Sequence, residues 1–277
     1  MKESGIIDWM ELLRGADLVL AEAAAKLVAM QSAPLRTERK DLLDVVTEAD
    51  LAAEEIVVNG LLRLTPDASI LAEERGAIGA ADDHGNRWII DPLDGTVNFA
   101  SGLPWFSVTA AYEVHGEIEL GLVNAPKANL QARYVRGQLA SVDGRPARVK
   151  QTRSLSDAVV SVCLTSHFSP EDVRRSSAIV ERLAGVARGV RIVVSGAFEM
   201  SQVAAGRMDA FVSIKADVVS HATGMQLIRA GGGRVSTLDG REAAIDDLER
   251  IASNGFVHDE LLAHINEAIG GVRHRGA

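Results

Sequence analysis

Only one cysteine, Cys163, occurs in the 277 residues, which excludes an internal disulfide and suits a reducing compartment. It lies in the apolar run VVSVCLTSH, where a buried strand thiol is a simpler reading than a nucleophile. Nothing approaches the roughly 20 uninterrupted apolar residues of a bilayer-spanning helix, because Glu22, Lys26 or glycines break the longest stretches. The opening MKESGIIDWMELLRG has acids and no apolar core before a small-residue cleavage site, so a cytoplasmic location is expected. Runs of Lys and Arg are also missing. With 29 basic against 38 acidic residues and a formal charge of −9, neither nucleic acid nor membrane is the expected partner, although a local site can still bind a small anion. The seven histidines form neither H-x-x-x-H nor H-E-x-x-H, which disfavours zinc. Against these absences, 47% of the residues are hydrophobic. A chain of this length can fill one large layered domain or two halves packed closely together.

From Asp8 to Met30 apolar residues, among them Leu13, Leu20, Ala24 and Leu27, recur at near-helical spacing, with Glu22 and Lys26 as an i,i+4 pair. A polar break at SAPLRTERKD precedes a second helix, Thr47 to Leu64, with Thr47 or Asp50 in its first turn and Pro66 closing it. ASILAE and RWIID are strand candidates, and WFSVTAAYEV, EIELGLVNAP and ARYVRGQLASV continue as an antiparallel meander. After Pro146 the pattern alternates. Strands in DAVVSVCLTS, GVRIVVSG and DAFVSI are separated by helices in EDVRRSSAIVERLAG and GAFEMSQVAAG. The helix SHATGMQLIRAGG follows, then short strands at GRVST and RIASN and a frayed tail, GGVRHRGA. With neither internal repeat nor low-complexity linker, the expected division is an N-terminal α+β half, 1–146, and a C-terminal α/β half, 147–277, sharing an extensive interface.

Chemistry concentrates in WIIDPLDGTVNF, residues 88–99. An apolar strand ends on Asp91, Pro92 is expected to stop the ladder and turn the chain, and Asp94, Gly95 and Thr96 lead into a helix start. Two carboxylates thus meet free backbone N–H groups, a place for metal ions and a phosphate. Alone, D-x-x-D-G is most often a turn. Two further acidic elements change the balance: Glu73-Glu74 after ASIL, and the stretch from Asp44 to Asp50 that includes Glu48. Carboxylates gathered without cations repel one another, and hard cations resolve that repulsion.

Taken in order, DVVTEAD at 44–50, AEE at 72–74, WIIDPLDGTVNF at 88–99, VAAGRMDAF at 203–211 and RAGGG at 229–233 resemble the inositol monophosphatase family, Mg²⁺-dependent phosphomonoesterases whose larger group includes fructose-1,6-bisphosphatases and nucleotide 3′-phosphatases. The similarity spans nearly the whole chain. It implies a layered α-β-α-β-α sandwich with the site between the halves. Carried over by position, Glu73, Asp91, Asp94 and the Leu93 carbonyl would hold Mg²⁺, with Asp50 near a further, weaker ion. Thr96 and Glu73 would orient the attacking water, and the N–H groups of Gly95 and Thr96 would receive the phosphate. The implied reaction is in-line attack by a metal-activated water without a phosphoenzyme, and the implied assembly is a homodimer.

Three departures stand out. The family's W-D-x-A-A-G motif reads Val219-Ser220-His221-Ala222-Thr223-Gly224 here, so Ser220 replaces the aspartate that ligates the second metal. Asp217, three residues upstream, is the candidate substitute. The glutamate that contacts inositol hydroxyls aligns with Ser213. The glycine of the G-S/T-A segment aligns with Val194, followed by Ser195 and Gly196. Substrate-facing positions would be Asp94, Ser195, Gly196, Ser213 and Ser220, and myo-inositol phosphate is not the expected substrate.

The leading expectation is therefore a Mg²⁺-dependent phosphatase of a small phosphorylated polyol, sugar or related metabolite. Fructose-bisphosphatase-like, histidinol-phosphatase-like and nucleotide-3′-phosphatase-like enzymes are the alternatives. A non-catalytic member that binds a phosphorylated ligand or a partner is another, motivated by Ser213 and Ser220. Arg174, Arg175, Arg182, Arg188 and Arg191 are the sole basis for a polyanion-binding reading, and a solvated helix face accounts for them more simply.

Overall fold

The computed structural model describes residues 7–32, 37–39, 45–79, 85–165 and 168–274. Helix α1 (Trp9–Gln31) starts where the Asp8 carboxylate accepts the N–H groups of Met10 and Glu11, both at 3.0 Å. Helix α2 (Glu48–Leu64) follows. The polar break between them contains a ladder not expected from the sequence, β1 (Thr37–Arg39) antiparallel to β2 (Val45–Thr47). Thr47 ends that ladder rather than opening α2. Residues 33–36 and 40–44, which include Asp44, lie outside the described residues.

The larger sheet has eight strands: β3 (Ser69–Ala72), β4 (Gly76–Ile78), β5 (Asn86–Asp94), β6 (Ser107–Val114), β7 (Glu117–Ala125), β8 (Leu130–Val135), β9 (Leu139–Val142) and β10 (Arg145–Pro146). Their spatial order is β10-β9-β8-β7-β6-β5-β3-β4, and only β3 and β5 run parallel. ARYVRGQLASV, expected as one strand, is the β8–β9 hairpin. One face of this sheet, with Trp88, Ile90, Tyr112 and Leu120, is covered by Leu13, Leu20 and Leu27 of α1 and Val57 and Leu61 of α2. Each such side chain contributes about 1.5–3 kcal/mol on full burial.

The smaller sheet orders β12 (Gly189–Arg191), β11 (Val159–Val162), β13 (Ala210–Ser213), β15 (Arg250–Ser253) and β14 (Arg234–Ser236). Here β11 runs parallel to β12 and β13, and β15 antiparallel to β13 and β14. Helices α5 (Gly196–Ala204) and α6 (Val218–Ala230) fill the space between the sheets, where Phe198, Met200, Met225 and Ile228 meet Ile89, Val123, Phe211 and Ala252. Helices α4 (Pro170–Ala184) and α7 (His258–His274) cover the outer face through Ile179, Leu183, Leu261 and Ile265. The result is the five-layered α-β-α-β-α sandwich. Helix α7 lies mostly in 258–269, where no element was expected, and runs on into the tail GGVRHRGA as far as His274; its buried Leu261, Ile265 and Ile269 carry the helical period that marks it.

Candidate active site

Pro92 does not end its strand. Asp91 pairs with Thr109 and Asp94 with Ser107, so three steps along β5 match two along β6. That extra residue is a β-bulge, and it accommodates the missing N–H of Pro92. It also sets the chemistry: residues three apart on a regular strand face opposite ways, whereas the bulge brings Asp91 and Asp94 out on the same face, toward α5 and α6. Gly95 then takes φ 92 to start helix α3 (Thr96–Ala100). A Cβ there would lie 2.7 Å from the Trp105 carbonyl oxygen, so glycine is required for conformation and for space.

Asp94 is held on all sides. Its Oδ1 accepts the Gly196 N–H at 3.0 Å, and its Oδ2 accepts the Ala197 N–H at 3.0 Å and the hydroxyls of Ser195 and Ser107 at 2.7 and 3.0 Å. These bonds seat the carboxylate on the positive end of α5. Burial still raises its pKa above the usual carboxylate range against their pull. Asp91 is pushed up further, by burial first and then by the charges of Glu73, Asp94 and Asp217. The Thr96 hydroxyl lies 2.8 Å from Asp50 Oδ1 and 3.1 Å from the Leu93 carbonyl, so its single proton is committed and its lone pairs remain available.

One cavity of about 120 Å³ gathers Glu73, Asp91, Leu93, Asp94, Gly95, Thr96, Gly196, Asp217 and Ser220 on its wall. Asp50 stands behind Thr96, buried in the first turn of α2. Ser195 and Ser213 are fully buried and do not reach the wall. Ser195 is spent on Asp94, and Ser213 accepts the Lys215 N–H at 3.3 Å. Asp217 is the N-cap of α6 and accepts the Val219 N–H at 3.0 Å, which places its carboxylate one turn before Ser220. Among the described residues no three His, Cys, Asp or Glu side chains are placed to hold a metal ion on their own.

His221, Cys163 and Val194 also line the cavity, and Glu199 is buried beside Ser195; none of the four was expected as a site residue. His221 is buried, and its Nδ1 has no hydrogen-bond partner. Burial pushes its pKa well below the ordinary value, so the ring is neutral at pH 7. It packs edge-on against Phe211, and a Cβ on Gly196 would fall 2.4 Å from its Nε2. Cys163 lies just past β11 and is half-buried on the cavity wall rather than inside a strand. Burial and the neighbouring acids push its thiol up to about 12, so the sulfur is a protonated wall atom. Glu199 is fully buried in α5, with its pKa raised to about 7 by burial, and it accepts the Ser195 N–H at 3.0 Å. Val194, at the family's glycine position, has φ 61, a left-handed conformation costly for a β-branched residue. Elsewhere, Arg174, Arg175 and Arg182 are paired with Glu171, Glu249 and Glu267.

The geometry defines a carboxylate-lined cleft at the junction of two sheets. The sequence profile of the inositol monophosphatase family matches residues 9–270, and the chain belongs to that family. It is 35% identical over 226 residues to the "Fructose-1,6-bisphosphatase/inositol-1-monophosphatase" of Thermotoga maritima, covering 82% of this chain and 84% of that protein. It is 32% identical over 238 residues to the "Nus factor SuhB" of Pasteurella multocida, covering 85% and 87%. The solved Thermotoga maritima IMPase superposes with a TM-score of 0.86 at 32% identity, over 95% of this chain and all of that one. An IMPase/NADP phosphatase crystallised with Mg²⁺ and phosphate shares the fold, with a TM-score of 0.79 at 21% identity over 92% and 96% of the two chains.

Proposed function

We propose that this protein is a Mg²⁺-dependent phosphatase of a small phosphorylated polyol, sugar or related metabolite. The observation that carries the reading is the convergence of Glu73, Asp91, Asp94 and Asp217 on one cavity beside the Thr96–Asp50 pair. The donor set fits the ion: every candidate ligand is an oxygen, and the upward push on Asp91 reports carboxylates in want of a cation. Mg²⁺ keeps several waters, so a cavity without a closed three-residue cage is no obstacle. Glu73, Asp91, the Leu93 carbonyl and Asp94 would hold it, with Asp217 in place of the missing carboxylate at Ser220 and Asp50 near a weaker ion. When bound, Mg²⁺ supplies acidification of water and stabilisation of the leaving oxygen.

The chain's own residues do the rest. The Thr96 hydroxyl donates its hydrogen bond to Asp50 and accepts one from a water, which aligns that water's lone pair. Glu73 is the proton acceptor beside it. The N–H groups of Gly95 and Thr96 face the phosphate, and Asp94, fixed by four donors, holds the α5 end of the cavity in place. The substrate-facing role lies with Gly196 and Ser220 on the wall, while Ser195 and Ser213 act from behind it. The cytoplasmic location, the homodimer that the resemblance implies, and a small metabolite rather than nucleic acid or membrane as partner belong to the same reading. Among the described residues, no helix is long and apolar enough to cross a membrane.

The test is phosphate release from a panel of phosphorylated polyols, sugars, histidinol phosphate and nucleotide bisphosphates, with Mg²⁺ titrated and Asp91→Asn as control. Mg²⁺-dependent release absent from the control supports the phosphatase. Unchanged Mg²⁺ dependence in Asp217→Asn removes that residue from the ligand set. Ser220 favours a second reading, a phosphorylated-ligand-binding protein without turnover. Folded protein that binds Mg²⁺ and releases nothing from the panel would select it.

A further inference from the structure

Glu199 is fully buried in α5 and off the cavity wall, apart from the groups that face cation, water and phosphate. Its carboxylate joins two elements. Oε2 accepts the Ser195 N–H at 3.0 Å, Oε1 accepts the hydroxyl of Ser161 on β11, and the Val193 N–H further favours the charged form. The carboxylate thus lies against the N–H groups of the turn 193–195, whose central residue, Val194, takes φ 61. Asn98 of α3 holds the carbonyls of the same turn, donating through Nδ2 to Val193 at 2.7 Å and Val194 at 3.3 Å. A left-handed β-branched residue persists only where its surroundings over-determine it, and these two side chains do so. What the turn delivers is Ser195, whose hydroxyl donates to Asp94 Oδ2 at 2.7 Å. That oxygen also accepts from Ser107 and from the Ala197 N–H, whereas Oδ1 accepts the Gly196 N–H alone among the described residues. The lone pair left for a cation therefore belongs to Oδ1.

We propose that Glu199 is a positioning residue for the cation site: by fixing the 193–195 turn it keeps Ser195 on Asp94 Oδ2 and so leaves Oδ1 turned to the Mg²⁺. This rests on the cation site of the phosphatase reading above and adds to it a residue behind the wall. The role calls for reach rather than charge. Ser161 Oγ also lies 3.3 Å from the Arg191 carbonyl, so beside a glutamine it gives its proton there and accepts the amide N–H, while the amide oxygen keeps the Ser195 N–H. Aspartate keeps the charge but draws the carboxylate back by one carbon–carbon bond, about 1.5 Å, which takes it out of hydrogen-bond distance of Ser195.

Calorimetric Mg²⁺ titration of Glu199→Gln, Glu199→Asp, Ser195→Ala and the double variant Glu199→Asp with Ser195→Ala tests it, beside thermal melts that establish folding. Glutamine should bind Mg²⁺ no more than about twofold more weakly than wild type, and aspartate about tenfold more weakly, the effect of one hydrogen bond to a charged group. Ser195→Ala should match aspartate, and the double variant should be no weaker than either single change, because both act through one contact. Wild-type affinity in a folded Glu199→Asp with a lowered Tm would make the residue merely structural. Glutamine as weak as aspartate, or losses that multiply to about a hundredfold in the double variant, would equally overturn the inference. So would wild-type affinity in Ser195→Ala, which decides the matter even where the aspartate variant fails to fold. Turnover does not enter: wild type that binds Mg²⁺ but releases no phosphate costs the phosphatase reading and not this one, whereas wild type that binds no Mg²⁺ overturns both.

Discussion

At the start of α7, His258 is fully buried between two serines. Ser236 donates its single proton to the Thr237 carbonyl at 2.9 Å, so it accepts from His258 Nε2–H at 2.8 Å. His258 Nδ1 then accepts the proton of Ser253 Oγ at 2.8 Å. These neighbours assign the neutral Nε2–H tautomer. Burial first, and the Arg234 charge second, lower its pKa from 6.5 to about 4, and a helix N-terminus disfavours a cation in the same sense. The unfolded chain therefore takes up this proton at higher pH than the folded one. Stability is fully present above pH 6.5 and is lost as pH falls toward 4. At 1.36 kcal/mol per pH unit the whole interval is worth about 3 kcal/mol, and roughly 2.5 kcal/mol of it has gone by pH 4.5. Urea unfolding of wild type and His258→Gln at pH 7.5, 6.0 and 4.5 measures this. Glutamine costs packing at pH 7.5, and the gap between the proteins should narrow by about 2.5 kcal/mol at pH 4.5. Parallel stability curves would refute the reasoning.

Asp91→Asn removes a buried carboxylate from the company of Glu73, Asp94 and Asp217, so the metal-free Tm should rise and the Mg²⁺-induced shift should vanish in a thermal melt; a lower Tm with an intact Mg²⁺ shift contradicts the site. Val194→Gly relieves a left-handed valine. The strain of about 1–2 kcal/mol exceeds the roughly 0.5–1 kcal/mol that glycine adds to unfolded-chain entropy, so chemical denaturation should show equal or greater stability, and a loss above 1 kcal/mol would show that the valine side chain matters more than its φ. With its pKa near 12, Cys163 should react with iodoacetamide at pH 8 about a thousandfold more slowly in the folded protein than in urea. Comparable rates in both would mean the thiol is not held protonated.

Most elements were readable because period and punctuation are local. The apolar spacing of α1, the alternation of the β6–β7–β8 meander and the D-P-L-D-G-T segment each announce themselves within a dozen residues. The β1–β2 ladder was hidden because three-residue strands leave no period to read. Lys215 belongs to no motif, and His221 fills the unspecified position of the Val219–Gly224 segment, so nothing in the local sequence marks either as a cavity residue.

By itself the sequence determined the family and the roster of acidic residues, since ordered motifs and side-chain period are properties of the chain alone, and the layer order came only as what the family resemblance implies. Tertiary structure decided which of those residues share a surface. The bulge at Pro92 turns Asp91 and Asp94 to one face, and α5 then claims Asp94 through Gly196 and Ala197, some hundred residues away in sequence. Burial decided the states of His221, Cys163 and His258, because the cost of charging a group depends on everything packed around it.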